Sequence, residues 1–306
     1  MQKKRVISLL PAATEIICSL GAADQLVGRS HECDYPPAVL GLPACTSPRI
    51  DTAVSSAQID AQARGQLEKS DSLYHLDLGL LRRLQPDVIV TQAQCEVCAV
   101  SLAEVEKAVS QWPGNHPQIV ALSPTRIVHV WENIIEVAEA IGIAEQGREF
   151  LRTLKKRVVT VIERACIIQT RPKVACIEWI EPLMSAGNWV PEMVELAGGQ
   201  NVLAESGKHS GYLTWGELKE ADPDVIVVMP CGFNLTRTRA ELSPLLNHPD
   251  WPGLRAVKSN RIYITDGHNF FNRPGPRIVE SMEIMAEILH PDRFNYGHRG
   301  KNWEKV

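Results

Sequence analysis

The sequence predicts an α/β protein of two Rossmann-like lobes, each with a central and mostly parallel sheet, bridged by one long α-helix. Three features predict this fold. Strand-like and helical segments alternate through the first part of the chain, a long helical pattern follows, and the order of strand and helix then begins again. The chain has 306 residues, of which 44% are hydrophobic, so it is long enough to bury a core in each lobe.

The first lobe is expected over residues 1–127. Its strand-like runs are "RVISL", "QLVGRS", "DVIV" and "QIVALS", and they alternate with the helical patterns "TEIICSLG", "LGLLRRL" and "LAEVEKAVSQW". The segment "MQKKR" before an apolar stretch is similar to a signal peptide, but Pro11, Thr14 and Glu15 interrupt that stretch. We interpret it as the first strand, loop and helix. We therefore expect a cytoplasmic location, or a periplasmic or membrane-associated one if the native start differs.

A linking helical segment is expected over residues 128–170, where "IAEQGREFLRTLKKRVVTVIERACII" has the pattern of one long helix that ends before "TRP". The second lobe then covers residues 171–306. Two matches relate it to the first lobe: "KRVISLLPAATEIICSLG" to "PKVACIEWIEPLMSAGNWVPEMVELAGG", and "LLRRLQPDVIVTQAQC" to "GELKEADPDVIVVMPC". The pentapeptide PDVIV recurs at residues 86–90 and 223–227, which indicates an internal repeat.

Composition and motifs exclude several classes of function. A formal net charge of -4 and no basic run longer than "KKR" argue against a nucleic-acid partner. The apolar stretches fall short of the ~20 residues that a membrane span needs, so no membrane insertion is expected. The chain contains no G-x-S-x-G elbow, Walker loop, G-x-G-x-x-G fingerprint or H-E-x-x-H helix. We therefore expect a binding protein and not an enzyme.

Ligands of open α/β sheets bind outside the carboxyl ends of the strands, so the loops that follow the predicted strands form the candidate site. These loops contain most of the unusual side chains of the chain. The candidate ligand-binding residues are His31, Glu32, Cys33, Gln92, Cys95, Cys98, Glu178, Trp179, Trp189, Cys231, Phe233, Phe270, Phe271 and Arg273.

The C-x-x-C pair of Cys95 and Cys98 has four interpretations. A zinc site would need further ligands, which His31, Cys33 or Cys231 could supply as imidazole or thiolate. A redox couple is disfavoured because Glu96 between the cysteines raises the pKa of a thiol. The thiols could also pack the loop against the following helix, or contact a ligand directly. A cytoplasmic Cys/His metal-binding or redox protein is therefore one alternative function.

Loop aromatics favour a large, flat ligand. Trp179 and Trp189 share one loop, and Phe270 and Phe271 share another, so that rings could cover the faces of such a ligand. Arg273 could meet an anionic group of the ligand or a carboxylate of the protein.

At this level of detail the chain resembles a known family. The segments "RVISLLPAATEIICSLGAADQLVGRSHECDYPP", "LQPDVIV", "PEMVELAGGQNVL" and "RIYITDGHNFFNRPGPR" are similar to the class III periplasmic substrate-binding proteins, over about residues 5–289. These are the cobalamin and iron-chelate binders of ABC importers, with two α/β lobes bridged by one helix. The resemblance implies a bulky metal chelate as the ligand, and an ABC permease as a partner if the protein is exported.

Within this family the chain is most similar to the cobalamin binders. The resemblance places their second-lobe aromatics on Trp179 and on Phe270 or Phe271, whereas aromatic positions of the first lobe are Glu32 and Gln92 here. It implies a corrinoid such as cobalamin, held between the two lobes. A haem or a ferric siderophore in the same fold is the alternative, and His31 or a cysteine is a candidate axial ligand of the metal.

Overall fold

The computed structural model describes residues 3–69, 72–93, 100–112 and 116–306. The chain divides into two compact units. Unit 1 comprises Met1–Val54, Gln58–Pro124 and Val128–Thr153, and unit 2 comprises Ser55–Ala57, Thr125–Ile127 and Leu154–Val306. The lobe boundaries expected at 127/128 and 170/171 stay a prediction.

The sheet of unit 1 is parallel and has the strand order β2-β1-β5-β6. A separate antiparallel pair joins β3 to β4. The strands are β1 Val6–Ser8, β2 Leu26–Arg29, β3 Thr46–Pro48, β4 Tyr74–Leu76, β5 Val88–Gln92 and β6 Gln118–Leu122. The helices of this part of the chain are α1 Pro11–Ser19, α2 Ser56–Leu67, α3 Leu78–Leu84 and α4 Leu102–Ser110.

The region expected as a linking segment contains two helices, α5 Ile127–Ala140 and α6 Ala144–Cys166. They are separated at Gly142, whose φ of 80° is the left-handed conformation that glycine adopts without strain. The long helix predicted over residues 143–168 is confirmed as α6. It ends before Pro172, which disfavours helical conformation in the residue that precedes it.

The sheet of unit 2 has the order β10-β8-β7-β11-β12-β13, and β9 pairs with β7. Strands β7, β9, β11 and β12 are parallel, whereas β8, β10 and β13 are antiparallel to their neighbours. The strands are β7 Lys173–Trp179, β8 Met184–Ser185, β9 Gln200–Asn201, β10 Gly211–Tyr212, β11 Val225–Val228, β12 Ile262–Thr265 and β13 Trp303–Lys305. The helices are α7 Val190–Leu196, α8 Trp215–Ala221, α9 Leu235–Ala240, α10 Ser243–Leu246, α11 Arg255–Lys258 and α12 Ile278–Leu289.

Each unit has its own hydrophobic core on its sheet. In unit 1, Ile7 of β1 and Ile89 of β5 pack with Leu81 of α3 and are fully buried. In unit 2, Ile226 of β11 and Leu218 of α8 are fully buried in the core. The sequence repeat aligns them with Ile89 and Leu81 of unit 1. Strands of a parallel sheet are covered on both faces, which is why they read as continuous apolar runs in the sequence.

The repeated PDVIV segments have the same local structure in the two units. Asp87 accepts a hydrogen bond from the N–H of Arg5 at 2.7 Å and donates its own N–H to the carbonyl of Arg5 at 2.8 Å. Asp224 makes the same two bonds to Lys173, at 2.8 and 2.9 Å. In each unit the carboxylate thus holds the start of the neighbouring strand.

The described helices include none that is both long and apolar enough to cross a membrane.

Candidate functional site

A supported tryptophan lies at the carboxyl end of β7 in unit 2. Trp179 is partly exposed, and its Nε1–H donates to the carbonyl of Glu181 at 3.1 Å. Its ring packs against Phe233, with 5.3 Å between ring centroids, and the guanidinium of Arg237 covers Phe233 at 3.8 Å from the ring centroid. Phe233 is buried, so the indole rests on a fixed support. The exposed part of Trp179 can therefore cover a flat apolar group.

Polar groups adjoin this tryptophan. Glu178 accepts a hydrogen bond from the hydroxyl of Ser210 at 2.7 Å, and Ser210 accepts one from the N–H of Gly187 at 3.0 Å. A Cβ at Gly187 would lie 2.6 Å from the carbonyl oxygen of Lys208, so only glycine permits these two segments to meet. The side chain of Cys231 is exposed, and its N–H donates to the carbonyl of Glu178 at 3.2 Å.

Besides Phe233, three further predicted aromatic residues are buried in unit 2. Trp189 is 6% exposed, and its Nε1–H donates to the carbonyl of Phe271 at 2.7 Å. Phe271 is fully buried, and Phe270 packs edge-on against His298 at 6.4 Å between ring centroids. The structure therefore places these side chains in packing contacts and not with Trp179. Their contact with a ligand stays a prediction.

Arg273 is also buried, and its Nη2 lies 3.1 Å from Nε2 of His268. Next to it, Asn272 donates from Nδ2 to the carbonyls of Met229 and Gly267, at 3.0 and 2.9 Å. The loops that follow β11 and β12 are thus joined by side-chain hydrogen bonds. The sequence left open whether Arg273 meets a ligand or a protein group, and the structure provides a protein group.

In unit 1 the loop after β2 forms a polar cluster. The Nδ1 atom of His31 lies 2.7 Å from Oγ1 of Thr46, which is itself 3.0 Å from Oγ of Ser30. The hydroxyl of Tyr74 donates to Glu32 at 3.5 Å, and the rings of Tyr74 and His31 are 5.6 Å apart. Burial and, to a lesser degree, the charge of Arg29 lower the pKa of His31, which favours the neutral imidazole.

The structure describes two of the four expected metal ligands, His31 and Cys33. Cys33 is fully buried, and its Sγ lies 3.8 Å from the carbonyl oxygen of Ser8. His31 instead contacts Thr46. Across the described ranges, no three side chains of the His, Cys, Asp and Glu types are close enough to hold a metal ion, so zinc has no support. Cys95 and Cys98 lie outside the described residues.

Gln92 ends β5 and is 9% exposed, so it is placed at the carboxyl edge of the unit 1 sheet as the sequence predicts. The sequence missed three side chains that hold the predicted ones in place: Thr46, Ser210 and Arg237. Arg237 follows Phe233 by four residues at the start of a helix, a spacing that could have indicated the contact. No local pattern links Thr46 or Ser210 to residues 15 and 32 positions away.

These observations define a ligand-binding α/β protein, with aromatic and polar loops at the carboxyl edge of each sheet. A family model described as periplasmic binding protein matches residues 6–268. The match covers most of the chain, and the chain belongs to this family. It is a solute-binding component related to ABC importers, and the family is one of binding proteins.

Three relatives illustrate the similarity. The uncharacterized ABC transporter substrate-binding lipoprotein YvrC of Bacillus subtilis is 21% identical over 96% of this chain and 82% of its own length. The vitamin B12-binding protein of Photorhabdus laumondii is 23% identical over 94% of this chain and 88% of its own length. The structure of the periplasmic heme-binding protein RhuT from Roseiflexus sp. RS-1 has a TM-score of 0.70 and 21% identity, covering 95% of this chain and 99% of that one. The resemblance to class III binding proteins is confirmed.

The expected cytoplasmic location is wrong, because the relatives are described as proteins found outside the cytoplasm. YvrC is a lipoprotein by its name, and RhuT is periplasmic by its description. Both favour a location outside the cytoplasm. The expectation rested on three polar or proline residues in the first apolar stretch, and that stretch forms β1 and α1 of the fold, so it carries no information about export.

Proposed function

We propose that this protein binds a corrinoid such as cobalamin, or a closely related metal chelate, without catalysing a reaction on it. The observation that carries the proposal is Trp179 of unit 2, whose ring packs against the buried Phe233. A partly exposed indole held by Phe233 and Arg237 suits a broad, flat ligand, because ring faces bury much apolar area at little cost in side-chain entropy. The vitamin B12-binding relative supports the corrinoid as the ligand class.

Polar groups beside Trp179 would orient the ligand. Glu178 can accept hydrogen bonds from amide groups, which are abundant on the rim of a corrinoid. The thiol of Cys231 is exposed next to it and stays a candidate contact. Trp189, Phe270 and Phe271 stay candidate ligand contacts, and in unit 2 their rings are buried.

Haem is the second candidate ligand. The observation that favours it is the similarity to RhuT, which is described as a heme-binding protein. Haem is also flat and apolar on its faces, so Trp179 would serve it in the same way. For either ligand, we propose that the protein delivers the chelate to an ABC permease.

The test is calorimetric titration of the purified protein with cyanocobalamin, haem and a ferric siderophore, together with absorption spectra. We expect cyanocobalamin to bind. We expect the Trp179→Ala variant to bind it about tenfold or more weakly, because stacking of a flat ring on an aromatic side chain contributes ~1–3 kcal/mol to the free energy of binding. Trp179→Phe should retain most of the affinity. The control is Trp112→Phe. Trp112 follows α4, toward the amino ends of the unit 1 strands, whereas the candidate site is at the carboxyl ends. Absence of binding to any corrinoid, with tight binding of haem, would replace the first candidate by the second.

A further inference from the structure

The carboxylate of Glu178 in unit 2 is held by a hydrogen-bond relay that begins at a backbone N–H. The hydroxyl oxygen of Ser210 accepts the N–H of Gly187 at 3.0 Å and lies 2.7 Å from Oε2 of Glu178. A backbone N–H only donates and a carboxylate oxygen only accepts, so the single hydrogen of the Ser210 hydroxyl is donated to Glu178. Ser210 is 9% exposed, which limits the access of water to this bond. The relay therefore fixes one oxygen of Glu178.

The backbone of unit 2 fixes the two residues that hold Glu178. A Cβ at Gly187 would lie 2.6 Å from the carbonyl oxygen of Lys208 and 2.7 Å from the backbone nitrogen of Ser210. The N–H of Asn188 donates to the same carbonyl of Lys208 at 2.6 Å, and the pairing of β8 with β10 lies beside this contact. Ser210 thus cannot leave Gly187 without breaking these bonds, so its hydroxyl is a fixed donor.

A bulge in β7 sets the direction of Glu178. Ile177 pairs with Ser185, and Trp179 pairs with Met184. Two steps along β7 thus match one step along β8, and Glu178 is the extra residue. A bulge interrupts the alternation of side chains to opposite faces of a sheet and re-aims the extra side chain. Glu178 is partly exposed at the carboxyl end of β7, and the bulge means that it is not confined to the face opposite the indole.

We propose that Glu178 selects the ligand by the groups on its rim, favouring carboxamides, which donate hydrogen bonds, over carboxylates, which carry a like charge. A carboxylate has about four acceptor positions, so the bond from Ser210 leaves acceptor capacity for a ligand. Glu178 is a specificity residue, and Ser210 is a positioning residue. The inference rests on the proposed function, because it requires a ligand that covers Trp179 and reaches the neighbouring carboxylate.

The two candidate ligands differ in this chemistry. The rim of a corrinoid carries carboxamide groups, whereas haem carries negatively charged propionate groups. A hydrogen bond from an amide N–H to a carboxylate is charge-assisted and roughly twice as strong as a neutral one. Two carboxylates placed against each other repel, and like charges of this kind suppress the binding of a wrong partner. Of the two ligands, Glu178 therefore favours the corrinoid.

The first test uses the ligand-free protein and examines the relay. Ser210→Ala removes the acceptor of the Gly187 N–H, so we expect amide exchange of Gly187, followed by NMR, to become about fivefold faster or more. Glu178→Gln keeps a carbonyl oxygen for the Ser210 hydroxyl and should leave this exchange near that of wild type. Circular dichroism checks that both variants fold. Equal exchange in wild type and a folded Ser210→Ala variant would refute the relay.

The second test compares ligands that differ in one group. Calorimetry measures binding of cyanocobalamin and of its monocarboxylic acids, each with one rim propionamide hydrolysed. We expect wild type to bind at least one of the acids about tenfold or more weakly than cyanocobalamin, and Glu178→Gln to abolish most of that difference for the same acid. Glu178→Gln that changes the affinity for all these ligands by the same factor would overturn the specificity role.

The control for this test is Glu220→Gln. Glu220 is exposed near the end of α8, which leads into the amino end of β11, so this variant removes the same charge from unit 2 away from the carboxyl edge. It should keep the discrimination of wild type. Loss of the discrimination in Glu220→Gln would show an effect of net charge and contradict the role of Glu178.

A double-mutant cycle tests whether Ser210 acts through Glu178. Ser210→Ala alone should reduce the discrimination between amide and acid about threefold, because the carboxylate is no longer held. In the Glu178→Gln background the same substitution should change the discrimination no further. An equal effect of Ser210→Ala in both backgrounds would assign Ser210 a structural role only.

The last arm measures the charge without a corrinoid. We expect Glu178→Gln to bind haem about tenfold more tightly than wild type at about 20 mM salt, and this difference to shrink at about 500 mM salt, where repulsion between charges is screened. An unchanged affinity for haem at low salt would overturn the proposal. If no corrinoid binds, the first candidate of the proposed function fails, while the haem measurement still decides whether Glu178 disfavours carboxylates.

Discussion

At the scale of single residues, Gly267 joins two loops at the carboxyl edge of the unit 2 sheet. A Cβ at this position would lie 2.8 Å from the carbonyl oxygen of Met229 and closer still to that of Pro230. Asn272 bonds to the carbonyls of both Met229 and Gly267. The sequence marks "TDGHNFFNRP" as a loop, but only the packed structure shows why a side chain is excluded at its glycine.

Replacing Gly267 by alanine should therefore destabilise unit 2. Because the clashing atoms belong to the backbone, they cannot move aside without separating the loops, and we expect a loss of about 1–3 kcal/mol in the free energy of unfolding. Urea unfolding followed by tryptophan fluorescence measures it. The control is Gly253→Ala, since no atom lies within 4 Å of a Cβ at Gly253, and we expect it to change that free energy by less than about 0.5 kcal/mol. Equal effects of the two substitutions would contradict the close-approach argument.

At the scale of secondary-structure elements, an ionic network joins α6 to α12 and to the end of the chain. Arg157 of α6 donates to Glu283 of α12 at 2.8 and 3.2 Å and to Glu280 at 2.8 Å. His298 lies 3.4 Å from the same carboxylate of Glu283. Glu287, one turn further along α12, accepts the indole N–H of Trp303 at 2.7 Å. The last strand is thus tied to the last helix by side chains.

This network makes a prediction about pH. Burial raises the pKa of Glu283, but the hydrogen bonds and charges of His298 and Arg157 outweigh it, so the pKa lies below its ordinary value. The ionised carboxylate therefore stabilises the folded state above about pH 4.3, the ordinary glutamate value, and this stabilisation is lost as the pH falls through the lower folded pKa.

We expect Glu283→Gln to lower the free energy of unfolding by about 1–3 kcal/mol at neutral pH and to differ less from wild type below about pH 4. Urea unfolding at a series of pH values measures the difference. Glu163→Gln, an exposed position on α6, is the control for removing one carboxylate and should have the smaller effect at neutral pH. A difference that stays constant from neutral to acid pH would argue against an ionised Glu283.

Elements with a strong pattern could be predicted from the sequence, and short ones could not. The run "IVESMEIMAEIL" predicts a helix that the structure has as Ile278–Leu289. The antiparallel strands β8 and β10 have two residues each, which is too short for an alternating pattern to appear. Such strands form because a neighbouring segment pairs with them. Only the tertiary structure shows which segment that is.

At the scale of the whole molecule, the repeat predicted from PDVIV corresponds to two units of related construction. In each, a helix ends in a residue of left-handed conformation, Gln85 with φ of 42° or Asp222 with φ of 39°. A proline, the aspartate and a buried strand follow. The aspartate of each copy bonds to the first residue of the neighbouring strand or the residue before it, as described for Asp87 and Asp224.

The repeat predicts matched effects of two substitutions. Asp87→Ala should speed amide exchange of Arg5 at least about fivefold, and Asp224→Ala should do the same at Lys173, because each removes a hydrogen bond to a charged acceptor. Hydrogen exchange measured by mass spectrometry resolves the two strands. Asp87→Asn keeps an acceptor oxygen and should fall between wild type and alanine. Exchange that rises evenly along the whole chain in both variants would refute this local role.

The sequence by itself determined the fold class, the repeat, the long helix and the family, because these depend on apolar periodicity and on motifs that are continuous in the chain. It also placed Trp179, Phe233 and Gln92 at the carboxyl edges of the sheets, since a strand and the loop after it are adjacent in sequence. Only the tertiary structure decided which side chains reach the surface there. Trp179 is partly exposed while Trp189, ten positions later, is buried, and Nδ1 of His31 lies 2.7 Å from Oγ1 of Thr46. Burial and side-chain partners depend on segments distant in the chain, and no local pattern records them.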